Sequence, residues 1–157
     1  MDQELIFFDC DGTLSVPVYD HEGKWVIGFP EVQQWIDYCA EHGEDTYKDC
    51  PPVGPVKRYA EKKKAEGAKL YVITCTLSEI EVRAKEKFIA RVYPGLFEEI
   101  YAVYSDDDKI KVIREVAERE GVPLDHCELV EDTFRTLLHI LADGVRPMHI
   151  SQIVGEL

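Results

Sequence analysis

Basic residues are scarce in this chain of 157 residues: 18 Lys and Arg stand against 31 Asp and Glu, a formal net charge of -13. That balance argues against a nucleic-acid backbone or an anionic membrane as partner, because both need a basic face. It leaves anionic small molecules open, since a divalent cation held locally can oppose the global sign. No CxxC pair occurs, and the five cysteines (Cys10, Cys39, Cys50, Cys75, Cys127) are scattered and odd in number. That usage points to a reduced, intracellular protein rather than a disulfide scaffold. The opening MDQELIFF lacks a basic segment before a long apolar run, and no apolar stretch is long enough to span a bilayer. The expectation is a cytoplasmic protein without a signal peptide or membrane span. Internal repeats and low-complexity tracts are absent too. The length suits a single domain over 1–157, and a 45% hydrophobic content can fill its core.

What is present is an alternation of apolar runs and helical patterns. LIFF (5–8), YVI extended back to Lys69 (69–73), EIYAVY (99–104), CELV (127–130) and RPMHI (146–150) read as strands. Helical segments are expected at about 55–66, 78–92, 108–120 and 133–142. Near-continuous apolar strands separated by helices predict an α/β fold: a Rossmann-like, doubly wound parallel sheet of about five strands, covered on both faces. Ser78 with Glu81 reads as a capping box, and Gly67 and Gly121 as helix stops, Pro123 following the second.

One stretch breaks the alternation. Residues 15–54 form an insert far longer than the usual connection. SVPVYD-HEG-KWVIGF reads as a hairpin. Glu31 to His42 carries Val32, Trp35, Ile36 and Cys39 at helical spacing, and Asp45 to Pro55 reads as loop. Such inserts often serve as flaps or binding elements. Cys39, His42 and Cys50 supply only three groups where zinc usually takes four ligands, and Cys39 fits the helix's apolar stripe better.

Ligands of open α/β sheets bind beyond the carboxyl ends of the strands. There the sequence places Asp9 and Asp11 after strand one and Thr74 and Cys75 at the end of the second. Ser105 to Lys109 follow the third, and Glu131 and Asp132 end the fourth. Clustered acids need a cation, and hard oxygen ligands beside phosphate are what Mg²⁺ prefers. A lysine and a hydroxyl suit a phosphoryl group, and aspartate is a known covalent nucleophile in phosphoryl transfer.

These residues resemble the haloacid dehalogenase-like hydrolases, in order, from Leu5 to about Leu138. FFDCDGTL resembles that family's DxDGT motif after a hydrophobic strand. VIT at 72–74 resembles its strand-ending Thr or Ser, Lys109 its helix-opening lysine, and LVEDT at 129–133 its acidic pair. The resemblance implies a phosphatase with a small or absent cap, acting on a phosphorylated small molecule. Asp9 would be the nucleophile forming an aspartyl-phosphate. Asp11 would protonate the leaving group and then activate water; dehalogenases of the family lack this acid, so it argues for phosphate. Gly12 would permit the sharp turn and Thr13 would help hold it. Thr74, with Cys75 and Lys109, would bind the phosphoryl group. Asp132, with help from Glu131, would hold Mg²⁺ together with Asp9 and the backbone carbonyl of Asp11. The family often places another acid four residues after the pair, and Thr136 stands there instead.

Each assignment has a rival. Thr76 competes with Thr74, but the apolar run stops at Thr74. Lys111 and Lys85 compete with Lys109. Lys109 lies one turn before Val112 and Ile113 and shares their buried face with Val116 and Ala117. Lys111 aligns instead with Glu115 and Glu118, and Lys85 is expected nearer an exposed helix middle. Asp106 to Asp108 are expected to cap the following helix rather than ligate metal. Tyr19, His21, Lys24, Trp25, Tyr47 and Lys48 are candidates to meet a leaving group; a nucleotide, a sugar phosphate or a phosphorylated protein side chain all remain open. Two other functions compete: a phosphorylation-receiving signalling domain, whose phosphorylated acid would end the third strand, and a catalytically silent binding domain.

Overall fold

The computed structural model describes residues 2–155. In chain order its elements are β1 (Leu5–Phe8), β2 (Tyr19–His21), β3 (Lys24–Val26), α1 (Val32–His42), α2 (Gly54–Ala65), β4 (Lys69–Cys75), α3 (Glu79–Val92) and β5 (Glu99–Val103). Then come α4 (Lys109–Glu120), β6 (Cys127–Glu131), α5 (Phe134–Leu141), β7 (Arg146–His149) and α6 (Ile150–Val154). Five strands form one parallel sheet in the order β5-β4-β1-β6-β7. The expected α/β class and strand count are therefore met. The short α6 had no readable pattern, because five residues are too few for helical periodicity to register.

The chain builds outward from β1 to β5 on one side, then crosses to β6 and β7 on the other. That reversal puts the topological switch point at β1. Phe8 pairs with Val72 on one flank and Val130 on the other, so the residues following all three strands reach the same rim.

Alternation along the strands assigns the faces. Ile6, Phe8, Leu70, Val72 and Val130 pack with Val56, Ala60, Ala84 and Phe88 on the α2 and α3 side. Leu5, Phe7, Tyr71, Ile73 and Leu129 pack with Ile110, Ile113, Val116 and Leu137 on the α4 and α5 side. All four β1 side chains are fully buried, as a central strand covered on both faces requires. Continued one step, this alternation aims Asp9 at α4 and Thr74 at α3.

Two helix ends correct the expectation. Ser78 caps α3, accepting from Glu81 N at 3.2 Å. The Glu81 carboxylate does not close a capping box on Ser78; it accepts from Leu77 N at 3.1 Å. The first turn of α4 is preceded by a 3-10 turn, Asp106–Asp108, capped by Ser105, whose Oγ accepts from Asp107 N at 3.2 Å. The hydroxyl therefore does the capping expected of the aspartates. A serine oxygen reaches the first free N–H groups of the turn, while Asp106 and Asp108 turn to lysines.

The insert folds as a hairpin and a helix. β2 and β3 pair antiparallel across Glu22 and Gly23, both at positive φ (54° and 79°), as a two-residue mirror-image turn demands. An aromatic cluster joins the hairpin to α1: Tyr19 meets Trp35 edge-on at 5.2 Å, and Phe29 lies 5.0 Å from Tyr38. The insert is fastened to α3 by Trp35 Nε1 donating to Glu81 at 3.0 Å and by Arg91 donating to Tyr47 O at 3.0 Å. No helix among the described residues is long and apolar enough to cross a membrane.

Candidate active site

Asp9, Asp11, Thr74, Cys75, Glu131 and Asp132 line one cavity of about 210 Å³ at the rim, together with Asp106 and Thr133. Residues from three strand ends thus converge, as expected. Lys109 lies beneath them. Its Nζ donates to Asp9 Oδ1 at 3.0 Å and to Glu131 Oε2 at 2.7 Å, and pairs with Asp106 at 3.1 Å. It is buried with Ile110, Ile113 and Val116, which is the face its spacing predicted. Lys111 is exposed as expected, but its partner is Asp108 at 3.2 Å rather than Glu115 or Glu118.

Lys85 departs from the sequence reading. It is fully buried, not exposed, and its Nζ lies 3.0 Å from Asp11 Oδ2, 2.8 Å from Glu81 Oε2, 2.8 Å from Thr74 Oγ1 and 2.9 Å from Cys75 O. The reason is helical. Glu81, Lys85, Phe88 and Val92 share the inward stripe of α3, and Lys85 precedes Phe88 by one turn just as Lys109 precedes Val112. The spacing argument applied to Lys109 finds Lys85 as well. Tyr47, from the insert, donates its hydroxyl to Asp11 Oδ1 at 2.7 Å. Asp11 is thus held on both carboxylate oxygens, by residues of α3 and of the insert.

The electrostatics are crowded. Burial lifts the Asp9 carboxyl to about 6, against the opposing pull of Lys109. Burial also pushes Glu131 upward, with Asp9 adding to the effect and Lys109 opposing it. Both lysines are held charged, because the carboxylates around them outweigh the cost of burial. Lys85 and Lys109 pair with Asp9, Asp11, Glu81, Asp106 and Glu131, so carboxylates outnumber ammonium groups. Asp9, Glu131 and Asp132 each bring an oxygen within 4.8 Å of the others. A trio of hard anionic donors at one spot fits a small divalent cation such as Mg²⁺. The Asp11 side chain is not part of that trio.

The turn after β1 has its own constraints. Gly12 adopts φ +76°, and a Cβ there would strike Asp132 Oδ2. Glycine is needed for the backbone angle and for the close approach of the Asp132 carboxylate. Cys10 O accepts from Thr13 N, Leu14 N and Ser15 N at 3.2, 2.9 and 3.0 Å, and from Ser15 Oγ at 3.3 Å. Thr13 helps hold this turn through its backbone N–H, while its hydroxyl is buried without a hydrogen-bond partner among the described residues. On the far side, His149 Nε2 lies 2.9 Å from Asp132 O while its ring stacks on Phe134 at 4.1 Å. Nothing in the sequence marked His149, which reaches Asp132 only through the β6–β7 pairing.

Thr74 is buried, lines the cavity and accepts from Lys85 through its oxygen, which leaves the hydroxyl hydrogen free to donate. Cys75 lines the cavity too, but its thiol is engaged, donating to Tyr104 O at 3.1 Å. Asp106, expected only as a cap, lines the cavity and pairs with Lys109. Of the insert residues proposed to meet a leaving group, Tyr19 and Tyr47 are buried in its aromatic cluster, whereas Trp25 is 67% exposed.

Fold and site together define a Rossmann-like α/β protein with an acid-lined cavity over two buried lysines at its switch point. Solved structures that superimpose on it include two phosphatases and a haloacid dehalogenase-like family hydrolase. A protein from Lactobacillus delbrueckii subsp. bulgaricus assigned as a phosphoglycolate phosphatase superimposes with a TM-score of 0.67 at 13% identity, over 95% of this chain and 86% of that one. A phosphoserine phosphatase, solved as a phospho-aspartyl intermediate analogue, gives 0.61 at 12% identity over 100% of both chains. A haloacid dehalogenase-like family hydrolase from Xanthomonas campestris gives 0.60 at 15% identity, over 94% and 82%. The chain therefore has the haloacid dehalogenase-like fold. No family model matches it, and no curated protein matches it in sequence.

Proposed function

We propose that the chain is a Mg²⁺-dependent phosphomonoester hydrolase that acts on a phosphorylated small molecule through an aspartyl-phosphate on Asp9. The observation carrying the reading is the meeting of Asp9, Asp11, Thr74, Glu131 and Asp132 at one cavity above Lys109. The shared fold adds support, since one structural relative is a phosphoserine phosphatase solved as a phospho-aspartyl intermediate analogue. Asp9, Asp132 and Glu131 would hold Mg²⁺, with the backbone carbonyl of Asp11. The ion supplies positive charge that offsets repulsion between Asp9 and the incoming phosphate.

In the first step a carboxylate oxygen of Asp9 bonds to phosphorus, and the bond from phosphorus to the leaving oxygen breaks. Asp11 gives that oxygen a proton. In the second step water attacks phosphorus, Asp11 takes the water's proton, and the bond between phosphorus and Asp9 breaks to release phosphate. The Thr74 hydroxyl donates to a phosphoryl oxygen, its orientation set by Lys85. Lys109 holds Asp9 in place and balances its charge. The 15–54 segment acts as a small flap over this site. Five free cysteines support a reducing, cytoplasmic setting, and the acidic surface disfavours nucleic acid and membranes.

The test is phosphate release from a panel of phosphorylated metabolites with Mg²⁺, with and without chelator. Asp9→Asn is expected to lose at least roughly 10³-fold in turnover, because no neighbour replaces a covalent nucleophile. Near wild-type turnover in that variant rejects the assignment. Failure to turn over any ester, aryl phosphates included, leaves the signalling or silent binding alternatives.

A further inference from the structure

Resting on the phosphatase reading, we infer that the ester carries a neutral, flat, apolar leaving group, aromatic in kind, held in a groove between the insert and the sheet rim.

The cavity at Asp9 continues in two directions. Through Asp106 and Thr133 it adjoins a polar cleft of about 370 Å³ that contains Arg135 and His139. Through Asp11 and Asp132 it adjoins a groove of about 290 Å³ walled by Pro17, Tyr19, Ile27, Phe29 and Trp35. The reaction chooses between them. The group that protonates the leaving oxygen is Asp11, so the leaving group must lie on the Asp11 side of phosphorus. That side opens into the apolar groove.

The walls then specify the occupant. The groove's charged groups are Asp11 and Asp132, and neither lysine nor arginine lines it. A second phosphate or a carboxylate on the leaving group would find no lysine or arginine on the groove walls to pair with. Aromatic faces and an isoleucine favour a ring. The ring walls are also fixed in advance. Trp35 is tied to Glu81 at 3.0 Å, stacks on Tyr38 at 6.1 Å and meets Tyr19 edge-on at 5.2 Å, with Phe29 6.1 Å away. A pre-formed wall loses little freedom on binding. Ile27 is 82% exposed and sits where a bound ring would cover it. The volume suits one ring system.

The experiment compares benzyl phosphate with ethyl phosphate, whose leaving alkoxides differ chiefly by the ring. In parallel, calorimetry compares the binding of benzylphosphonate and ethylphosphonate, which cannot be hydrolysed. Benzyl phosphate is expected to exceed ethyl phosphate in kcat/KM by roughly 10- to 100-fold, the effect of burying one ring. Benzylphosphonate should bind tighter by a similar factor. Phe29→Ala and Ile27→Asp should each drive both ratios towards one; a ratio is unaffected by partial loss of folded protein. Turnover of both esters with ratios within about twofold in the wild type overturns the groove assignment and leaves the phosphatase reading standing. Ratios that survive both substitutions overturn it too. Tighter benzylphosphonate binding, lost in the two variants, with no ester hydrolysed, upholds the groove and rejects the phosphatase.

Discussion

Tyr47 gives its hydroxyl hydrogen to Asp11 Oδ1 at 2.7 Å, reaching across 36 residues of chain. Lys85 holds the other oxygen at 3.0 Å. The acid that must meet the leaving group is therefore oriented by the insert and by α3, not by its own turn. Removing the hydroxyl while keeping the ring should loosen that orientation without opening the core. Tyr47→Phe is expected to lower kcat about tenfold with KM within about threefold, while the melting temperature changes little. An equal loss in KM would show that the hydroxyl acts on substrate binding instead.

Lys85 stabilises two carboxylates that would otherwise be poorly paired. Lys85→Met leaves the buried Glu81 without its ammonium and Asp11 with Tyr47 alone. The cost expected in urea unfolding is about 3–5 kcal/mol. Lys111→Ala, which removes an exposed ion pair with Asp108, is expected to cost at most about 0.5 kcal/mol. Similar values for the two would contradict the buried network.

Gly12 combines a left-handed backbone with contact against Asp132. Gly12→Ala strains the turn by about 1–3 kcal/mol and displaces a carboxylate assigned to the metal. A lower melting temperature and weaker Mg²⁺ binding by calorimetry are expected together. Unchanged Mg²⁺ affinity would remove Asp132 from the ligand set.

Glu128 sits buried on β6, where burial raises its carboxyl above 4.5, and the Tyr59 hydroxyl and Arg146 only partly oppose this. A raised folded-state value means the protonated acid is the form that folding favours. The resulting stability is present below about 4.5 and is lost as pH rises through the folded value. Glu128→Gln keeps an acceptor for Tyr59 and removes the titration. The variant should gain stability relative to the parent as pH climbs from acid to neutral, measured as the difference in unfolding free energy. A difference independent of pH would place the burial effect elsewhere.

Much of the site could be read along the chain. Asp9, Thr74, Glu131 and Asp132 stand where apolar runs stop, and a parallel sheet brings strand ends to one rim whatever the loops do. Lys109 could be placed because its neighbours one and two turns on are apolar. Lys85 obeyed the same spacing, but a charged residue amid charged neighbours in α3 hides the stripe formed by Phe88 and Val92. The thiol of Cys75 and the hydroxyl of Thr13 were not readable, since which partner a side chain turns to depends on what already occupies the acceptors around it.

The alternation of strands and helices, the central burial of β1 and the acids at its end are properties of the amino-acid order alone. These follow from local periodicity and from where hydrophobic runs cease. That Tyr47 and Lys85 share Asp11, that Trp35 holds Glu81 across 46 residues, and that an apolar groove opens beside the acid follow from the packed fold. Periodicity reports which face of an element is buried; the partner it is buried against is chosen by the packing of the whole chain.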